Sequence, residues 1–272
     1  MKFSIGNISR LTGFSPSGIR FFEAAGVITP ARGENQKYRE YSLGDLQLLM
    51  ICRQYRDCGF SLQDSVDLLR HSDLPQILDH IDTQRECVRR QLAEKQVLLD
   101  FLEEKHANLE SFQREGPRCR VQRLPALLWK KLWQPGDLKE GFKPSLQNNS
   151  WFLHSPIMDS CMLLSEESFL HGEGDLQTNW GIAIEKRYAD KIGFFPVEEY
   201  LLIPSTECVR LEIKLNENLE IPSQQLDLAR SFIAENQLLV SGLPISRIFY
   251  TTVMNDVLNR YDQLWIPVKK IL

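Results

Sequence analysis

The sequence lacks the features that identify several large classes of protein. No stretch of its 272 residues reaches the roughly 18 consecutive apolar residues that a membrane-spanning helix needs. The N-terminus has no succession of charged, apolar and small-residue zones of the kind that forms a signal peptide. These absences predict a soluble cytoplasmic protein without a membrane partner.

Signatures of catalysis and metal binding are also scarce. The five histidines show no HExxH spacing, and no GxSxG motif or phosphate-binding glycine loop is present. The six cysteines include no CxxC pair, so free thiols are the expected state. We therefore expect no enzyme activity, no cofactor and no metal site. Two alternatives stay open: a metal or thiol-redox sensor that uses Cys87 and Cys119, and an enzyme built on the C-terminal domain.

Charge is distributed unevenly along the chain. The formal net charge is −4, yet residues 1–41 carry six basic and only three acidic side chains. The N-terminal region is therefore basic and the remainder is acidic. Such a distribution is typical of a DNA-binding domain joined to another domain.

Helix signals near the N-terminus predict a helix-turn-helix followed by a hairpin. Ser15 is a candidate N-cap, and Pro16 suits the first position of a second helix that ends near Gly26. Residues 29–41 predict a β-hairpin, or wing, tipped with basic residues. The capping pairs Ser42/Asp45 and Ser61/Asp64 predict two further helices. A helix-turn-helix places its second helix in the major groove of DNA.

Basic and aromatic side chains concentrate on this unit. Arg20 lies in the presumed recognition helix and is a candidate for hydrogen bonding to guanine or phosphate. One of Phe21 and Phe22 should fill the small core while the other approaches the DNA backbone, and the wing should contact phosphates. The predicted DNA-binding residues are Ser15, Ser17, Arg20, Phe21, Phe22, Lys37, Tyr38, Arg39 and Tyr41.

The motifs over residues 1–75 resemble the MerR (mercury-resistance regulator) family of transcription factors. They read Arg20-Phe21-Phe22, Gly26-Val27-Ile28-Thr29-Pro30 and Tyr38-Arg39-Glu40-Tyr41. Phenylalanines stand where the family usually has tyrosines, so hydroxyl contacts to phosphate are absent there. The resemblance implies a homodimer that binds a pseudo-palindromic promoter. It also implies that ligand binding distorts the DNA, so that RNA polymerase can recognise both promoter elements.

A long segment without glycine follows. Residues 75–114 place apolar side chains at heptad spacing, and a helix of about 40 residues is about 60 Å long. Such a helix with one apolar stripe needs a partner, so we predict a two-chain coiled coil; packing on its own domain is the alternative. The predicted a and d positions are Leu78, Ile81, Arg85, Val88, Leu92, Lys95, Leu99, Leu102, His106 and Leu109.

The remainder of the chain alternates short apolar runs with turn residues, which predicts a mixed α+β domain. The predicted strands are 121–129, 180–185, 208–215, 245–253 and 264–271, with a helix at 226–236. Asn179-Trp180-Gly181-Ile182 and the closing Leu264–Lys270 segment resemble the gyrase-inhibitor-like effector domain of multidrug-binding members. That resemblance implies two similar αβ halves with a ligand cleft between them.

All five tryptophans lie in this domain. An aromatic cleft with a carboxylate suits a flat lipophilic cation, and Glu185 and Glu212 are the carboxylate candidates. Cation-binding members carry a glutamate on the strand that here contains Arg247, so a neutral or anionic aromatic ligand stays open. The predicted ligand-binding residues are Trp151, Trp180, Glu185, Phe249, Tyr250 and Trp265.

The predicted fold class is multidomain, α and α+β. It comprises a winged helix-turn-helix DNA-binding domain at 1–74, a coiled-coil dimerisation helix at 75–115 and a two-half gyrase-inhibitor-like effector domain at 120–272. The predicted function is a ligand-responsive transcriptional regulator, an activator that senses a small aromatic or lipophilic compound.

Overall fold

The computed structural model describes residues 2–32, 38–133, 157–171, 178–196, 199–215, 221 and 223–271. The chain forms two compact units, Met1–Leu92 and Ala93–Leu272. Within the described residues, no helix combines the length and the apolar character that crossing a membrane requires.

The N-terminal unit is a small helical domain with a two-stranded hairpin. Its elements are α1 (Ile5–Thr12), α2 (Pro16–Ala24), β1 (Ala31–Arg32), β2 (Arg39–Glu40), α3 (Leu43–Asp57) and α4 (Leu62–Arg70). The predicted caps are confirmed. The Ser15 hydroxyl accepts a hydrogen bond from the Gly18 N–H at 3.2 Å, and capping boxes begin α3 and α4. The helix starts that the sequence predicts are therefore the ones that form.

Glycine is required where α2 ends. Gly26 has φ +69°, a left-handed conformation that side chains with a Cβ rarely adopt. The turn is closed from α4, because Arg70 Nη1 donates to the carbonyl oxygen of Ala25 at 2.7 Å. Behind it, Ile19 and Phe22 of α2 are fully buried in the domain core.

The long helix α5 (Leu74–Glu115) is continuous over 42 residues, about 63 Å. One face packs within the C-terminal unit: Val97 is fully buried, and Phe101 packs against the same apolar cluster. Another face stays exposed. Its apolar side chains are Leu74, Leu78, Ile81, Val88, Leu92, Leu99 and Leu102. Six of these seven occupy the heptad positions that the sequence predicts.

The C-terminal unit is built on an antiparallel sheet flanked by short helices. Its strands are β3 (Arg120–Leu124), β4 (Leu127–Trp133), β5 (Met158–Leu164), β6 (Thr178–Glu185), β7 (Leu201–Ile203), β8 (Thr206–Lys214), β9 (Leu238–Val240), β10 (Ile245–Met254) and β11 (Val257–Lys270). Its other helices are α6 (Glu166–His171), α7 (Lys186–Ile192) and α8 (Ser223–Glu235). Along the sheet the order is β3-β8-β11-β10-β5-β6-β4-β7, and β9 pairs with β11.

One strand prediction is wrong. Residues 121–129 form two strands, β3 and β4, which separate at Pro125 and Ala126. Proline has no N–H to donate to a sheet ladder. The two strands lie near opposite ends of the strand order. β3 pairs with β8, whereas β4 pairs with β6.

The two faces of the sheet differ in character. On β8, Val209, Leu211 and Ile213 are buried in the cluster that contains apolar residues of α8. The alternate residues Arg210 and Glu212 therefore point to the opposite face. Both are buried as well, at 2% and 1% exposure. Charged side chains are thus enclosed on one side of this sheet.

Gly181 lets β4 and β6 approach closely, and we predict that Gly181→Ala destabilises the C-terminal unit. A Cβ here would lie 2.4 Å from the backbone oxygen of Lys130, and such overpacking costs about 1–3 kcal/mol or more. Thermal unfolding followed by tryptophan fluorescence measures it. Gly242→Ala is the control, since its Cβ would meet Pro267 at an ordinary 3.5 Å; equal melting of the two variants would contradict the prediction.

Candidate DNA-binding surface and effector cavity

The second helix presents polar side chains to solvent at the start of the N-terminal domain. Ser15, Ser17 and Arg20 are exposed, and the two serine hydroxyl oxygens lie 2.8 Å apart. Ile19 and Phe22 on the other side of α2 are buried. This division leaves the face with Arg20 exposed.

The wing is tied to the same helix. Ala31 pairs with Glu40 and Arg32 with Arg39 in an antiparallel hairpin. Arg39 Nε donates to Glu23 Oε1 of α2 at 2.8 Å, and this bond raises the pKa of the Arg39 guanidinium. Tyr38 is 79% exposed beside it. Lys37, also predicted to contact DNA, lies outside the described residues.

Two of the residues predicted to contact DNA are buried. The side chains of Phe22 and Tyr41 are both 0% exposed, and Phe22 is the phenylalanine that fills the core. Phe22 packs edge-on against Phe14 at 5.1 Å between ring centroids. Tyr41 closes the domain core, where its backbone pairs with Phe3. Phe21 is half-buried, and it is the one of the two phenylalanines that reaches the surface.

The C-terminal unit contains a cavity of about 320 Å³ on the sheet face that carries Arg210. Strands β3, β5, β6, β8, β10 and β11 contribute to its lining, and the second half of α5 adds Phe101 and Glu104. Its size is at the lower end of the range for small-molecule sites. Unlike most such sites, it is rich in charge.

Arg247 organises one side of this cavity. Its Nε donates to Asp159 Oδ2 at 2.9 Å, and its Nη2 donates to Glu185 Oε1 at 3.1 Å. The second oxygen of Glu185 accepts from Arg187 Nε at 2.7 Å. The two carboxylates raise the pKa of Arg247, although burial opposes them. Both oxygens of Glu185 are thus occupied by guanidinium groups.

Arg210 organises the other side. Its Nη1 donates to Gln122 Oε1 and its Nη2 to Glu212 Oε1, both at 2.9 Å. Glu212 also accepts from Arg120. Burial lowers the pKa of Arg210, and Glu212 opposes that effect. The Arg210 guanidinium lies 5.3 Å from the ring centroid of Trp265.

The structure brings together three of the six predicted ligand-binding residues: Glu185, Phe249 and Trp265 line the cavity. Trp180 and Tyr250 do not line this cavity. The Trp180 indole packs against the cluster on the α8 side of the sheet, where Arg260 lies 5.1 Å from its ring centroid. The Tyr250 ring stacks on Tyr261 at 4.6 Å. Trp151 lies outside the described residues.

A β-bulge lies on β10 beside the cavity. Ile248 pairs with Asp262 and Tyr250 pairs with Tyr261, so Phe249 is the extra residue. Phe249 is two residues from Arg247, and the alternation of a strand places both on the cavity face. Ile248 also lines the cavity, which departs from this alternation and agrees with the local distortion of the strand at the bulge.

Sequence reasoning missed Arg210 and Gln263, which line the cavity beside Trp265. Arg210 is the direct partner of Trp265 across β8 and β11, and Gln263 is two residues away on the same face. The available signal was the alternation of charged and apolar residues over 208–215. In a strand that alternates in this way, the charged side chains usually face solvent. Here Arg210 and Glu212 are buried instead.

Comparisons with known proteins agree with the geometry of the N-terminal unit. The family model described as MerR HTH family regulatory protein matches residues 3–72. The N-terminal domain is a MerR-family helix-turn-helix domain.

Relatives of the MerR domain include regulators of several bacteria. Over 73 residues, 27% of this chain, the chain is 34% identical to the HTH-type transcriptional regulator CueR of Escherichia coli O6:H1, and it spans about half, 54%, of that protein's length. Over 127 residues it is 28% identical to a probable heavy metal-dependent transcriptional regulator of Haemophilus influenzae, covering 43% of this chain and 94% of that protein. A cryo-EM structure of an EcmrR–DNA complex in EcmrR-RPo aligns with 99% of this chain and 100% of that one, at 14% identity and a TM-score of 0.40.

The environments of the cysteines outside the MerR domain bear on thiol chemistry. Burial raises the pKa of Cys161 and Cys208 to about 12, and burial together with Glu212 raises that of Cys119 to about 11. The thiolate is the form that reacts and binds metals. Among the described residues, no three His, Cys, Asp or Glu side chains form a group that could hold a metal ion.

We predict that iodoacetamide at pH 8 modifies the exposed Cys58 long before Cys119, Cys161 or Cys208. At that pH a thiol with a pKa of 11 is thiolate in about one molecule in a thousand. Mass spectrometry of digested samples taken over time gives the order. Modification of Cys119 as fast as Cys58 would contradict the prediction and support the thiol-sensing alternative.

Proposed function

We propose that the protein is a ligand-responsive DNA-binding transcriptional regulator that acts as a homodimer. The observation that carries the proposal is the exposed face of α2 with Arg20, joined by the Arg39–Glu23 bond to a basic wing in a MerR-family domain. This arrangement suits a helix in the major groove with the wing on flanking phosphates. Double-stranded promoter DNA is the proposed partner.

The dimer is proposed to form through α5. The helix uses its Val97 and Phe101 face within its own unit, and most of the heptad stripe stays exposed. Leu92 is 68% exposed and Leu78 is 55% exposed. Water-exposed leucines at coiled-coil spacing favour pairing with a second copy. A twofold dimer suits a pseudo-palindromic operator.

The C-terminal cavity is the proposed effector site, and a small aromatic or lipophilic compound is the proposed effector. Regulation requires that the effector bind one dimer shape more tightly than another. Distorting a promoter costs on the order of 1–6 kcal/mol, which sets the coupling that binding must supply. RNA polymerase at the distorted promoter is the second proposed macromolecular partner. The chemistry is binding only, with no bond made or broken.

Arg20→Ala is predicted to weaken binding to the preferred duplex by about 1–3 kcal/mol, because a base contact is lost. The duplex is first selected from a random pool with the intact protein, and fluorescence anisotropy at fixed salt then gives both dissociation constants. Arg90→Ala is the control, since it removes an exposed arginine from α5, away from the MerR domain. Unchanged affinity of Arg20→Ala removes this residue from the recognition surface.

Leu92→Glu combined with Leu99→Glu is predicted to convert the dimer into a monomer, because four glutamates would enter an apolar seam. Sedimentation equilibrium distinguishes the 31.5 kDa chain from a species of twice that mass. Thr83→Glu adds a glutamate to an exposed position outside the stripe and should leave the dimer intact. A monomeric unmodified protein, or a double variant that stays dimeric, contradicts the proposal.

A further inference from the structure

We propose that the effector cavity selects an aromatic anion, such as a carboxylate joined to a flat ring. This inference rests on the proposed function, because it names the chemical class of the effector for the same site. It departs from the lipophilic cation that an aromatic cleft with a carboxylate would favour.

Each carboxylate that lines the cavity is paired with a guanidinium group, which disfavours a cation. Glu185 accepts from Arg247 at 3.1 Å through one oxygen and from Arg187 at 2.7 Å through the other. Asp159 accepts from Arg247 at 2.9 Å, and Glu104 pairs with Arg187. A cationic ligand at Asp159 or Glu185 would have to compete with the buried Arg247 guanidinium. Breaking a buried pair leaves an uncompensated charge, which is strongly unfavourable.

Donors, in contrast, are left over. Within the described part of the chain, Arg210 Nε, Trp265 Nε1 and Gln263 Nε2 are buried without a hydrogen-bond acceptor. The three residues are 2%, 3% and 9% exposed, and all three line the cavity. Arginine and the indole N–H can only donate. Buried donors without acceptors are rare in native proteins and call for a partner.

These donors lie close together on the sheet. Arg210 and Trp265 are direct partners across β8 and β11, and Gln263 is two residues along β11 on the same face. The Cβ atoms of cross-strand and diagonal neighbours of this kind lie about 5–8 Å apart. The three residues therefore form one patch of the cavity lining. A carboxylate offers such a patch two oxygens and about four lone pairs as acceptors.

The surroundings add charge and an apolar wall. Lys105 and Arg123 line the cavity in addition to the paired arginines, and both are exposed. The cavity lining holds five cationic side chains and three carboxylates, so its potential favours an anion. Phe249 and the indole ring of Trp265 supply flat apolar surface. An anionic head with an aromatic body fits both features.

A matched series of ligands tests the charge preference: 2-naphthoate, the neutral 2-naphthamide and the cationic 2-naphthylmethylamine. Isothermal titration of the intact protein at pH 7 gives their dissociation constants. We expect 2-naphthoate to bind at least about tenfold more tightly than the other two, since bonds to charged acceptors are the stronger ones. Equal affinities, tighter binding of the amine, or a naphthoate dissociation constant above about 1 mM overturns the proposal.

Trp265→Phe tests the location, because it removes one donor and keeps a ring. We expect 2-naphthoate to bind about tenfold more weakly, with little change for 2-naphthylmethylamine. Trp180→Phe makes the same change on the other side of the sheet and should bind 2-naphthoate like the unmodified protein. Should Trp265→Phe fail to fold, Gln263→Met removes a donor with little change in volume and should show the same loss. Unchanged naphthoate affinity in the folded variant overturns the assignment.

The unmodified protein and the variants are also assayed for binding to the selected duplex. This assay separates the present inference from the proposed function. Loss of naphthoate binding in Trp265→Phe, with DNA binding retained, supports the anion site. Failure of the unmodified protein to bind any duplex overturns the proposed function and leaves the naphthoate result standing.

Discussion

The structure of the C-terminal unit depends on ion pairs between buried arginines and buried carboxylates. Arg247 joins Asp159 of β5 to Glu185 of β6 from its own strand β10. An unpaired buried guanidinium would cost several kcal/mol, so these three strands must keep the register that brings the carboxylates to it. The same requirement holds for Arg210 and Glu212 on β8. The arginines thereby fix the cavity walls, and Arg247 pairs with two of the carboxylates that line the cavity.

The long helix α5 relates this cavity to the proposed dimer. Phe101 and Glu104 belong to the cavity lining, and Glu104 forms an ion pair with Arg187. The heptad stripe on the same helix is exposed and is proposed to hold a second chain. A ligand that changes the packing around Phe101 acts directly on this helix. The proposed effector site and the proposed dimer seam therefore share one helix.

Local signals in the sequence predicted the N-terminal domain well, whereas long-range pairing in the C-terminal unit was harder to predict. Ser15, Ser42 and Gly26 act on residues within one helical turn, so their roles follow from spacing alone. The strand β5 was not predicted, because its neighbours β6 and β10 are set by the sheet and not by adjacent residues. The bulge at Phe249 and the enclosure of Arg210 likewise depend on partners far away in the chain. Burial of Phe22 and Tyr41 shows the same limit, since a motif names residues without showing which face of the domain they occupy.

The central claim is that filling the cavity lined by Arg210 and Trp265 changes how the MerR domain binds DNA. Linkage makes this claim directly measurable: 2-naphthoate must change the dissociation constant for the selected duplex by the same factor by which the duplex changes that for 2-naphthoate. Titrations in both orders give the two factors. The account predicts equal factors in the range of roughly 5 to 150. If naphthoate binds but neither ligand changes the dissociation constant of the other, the result would contradict this prediction.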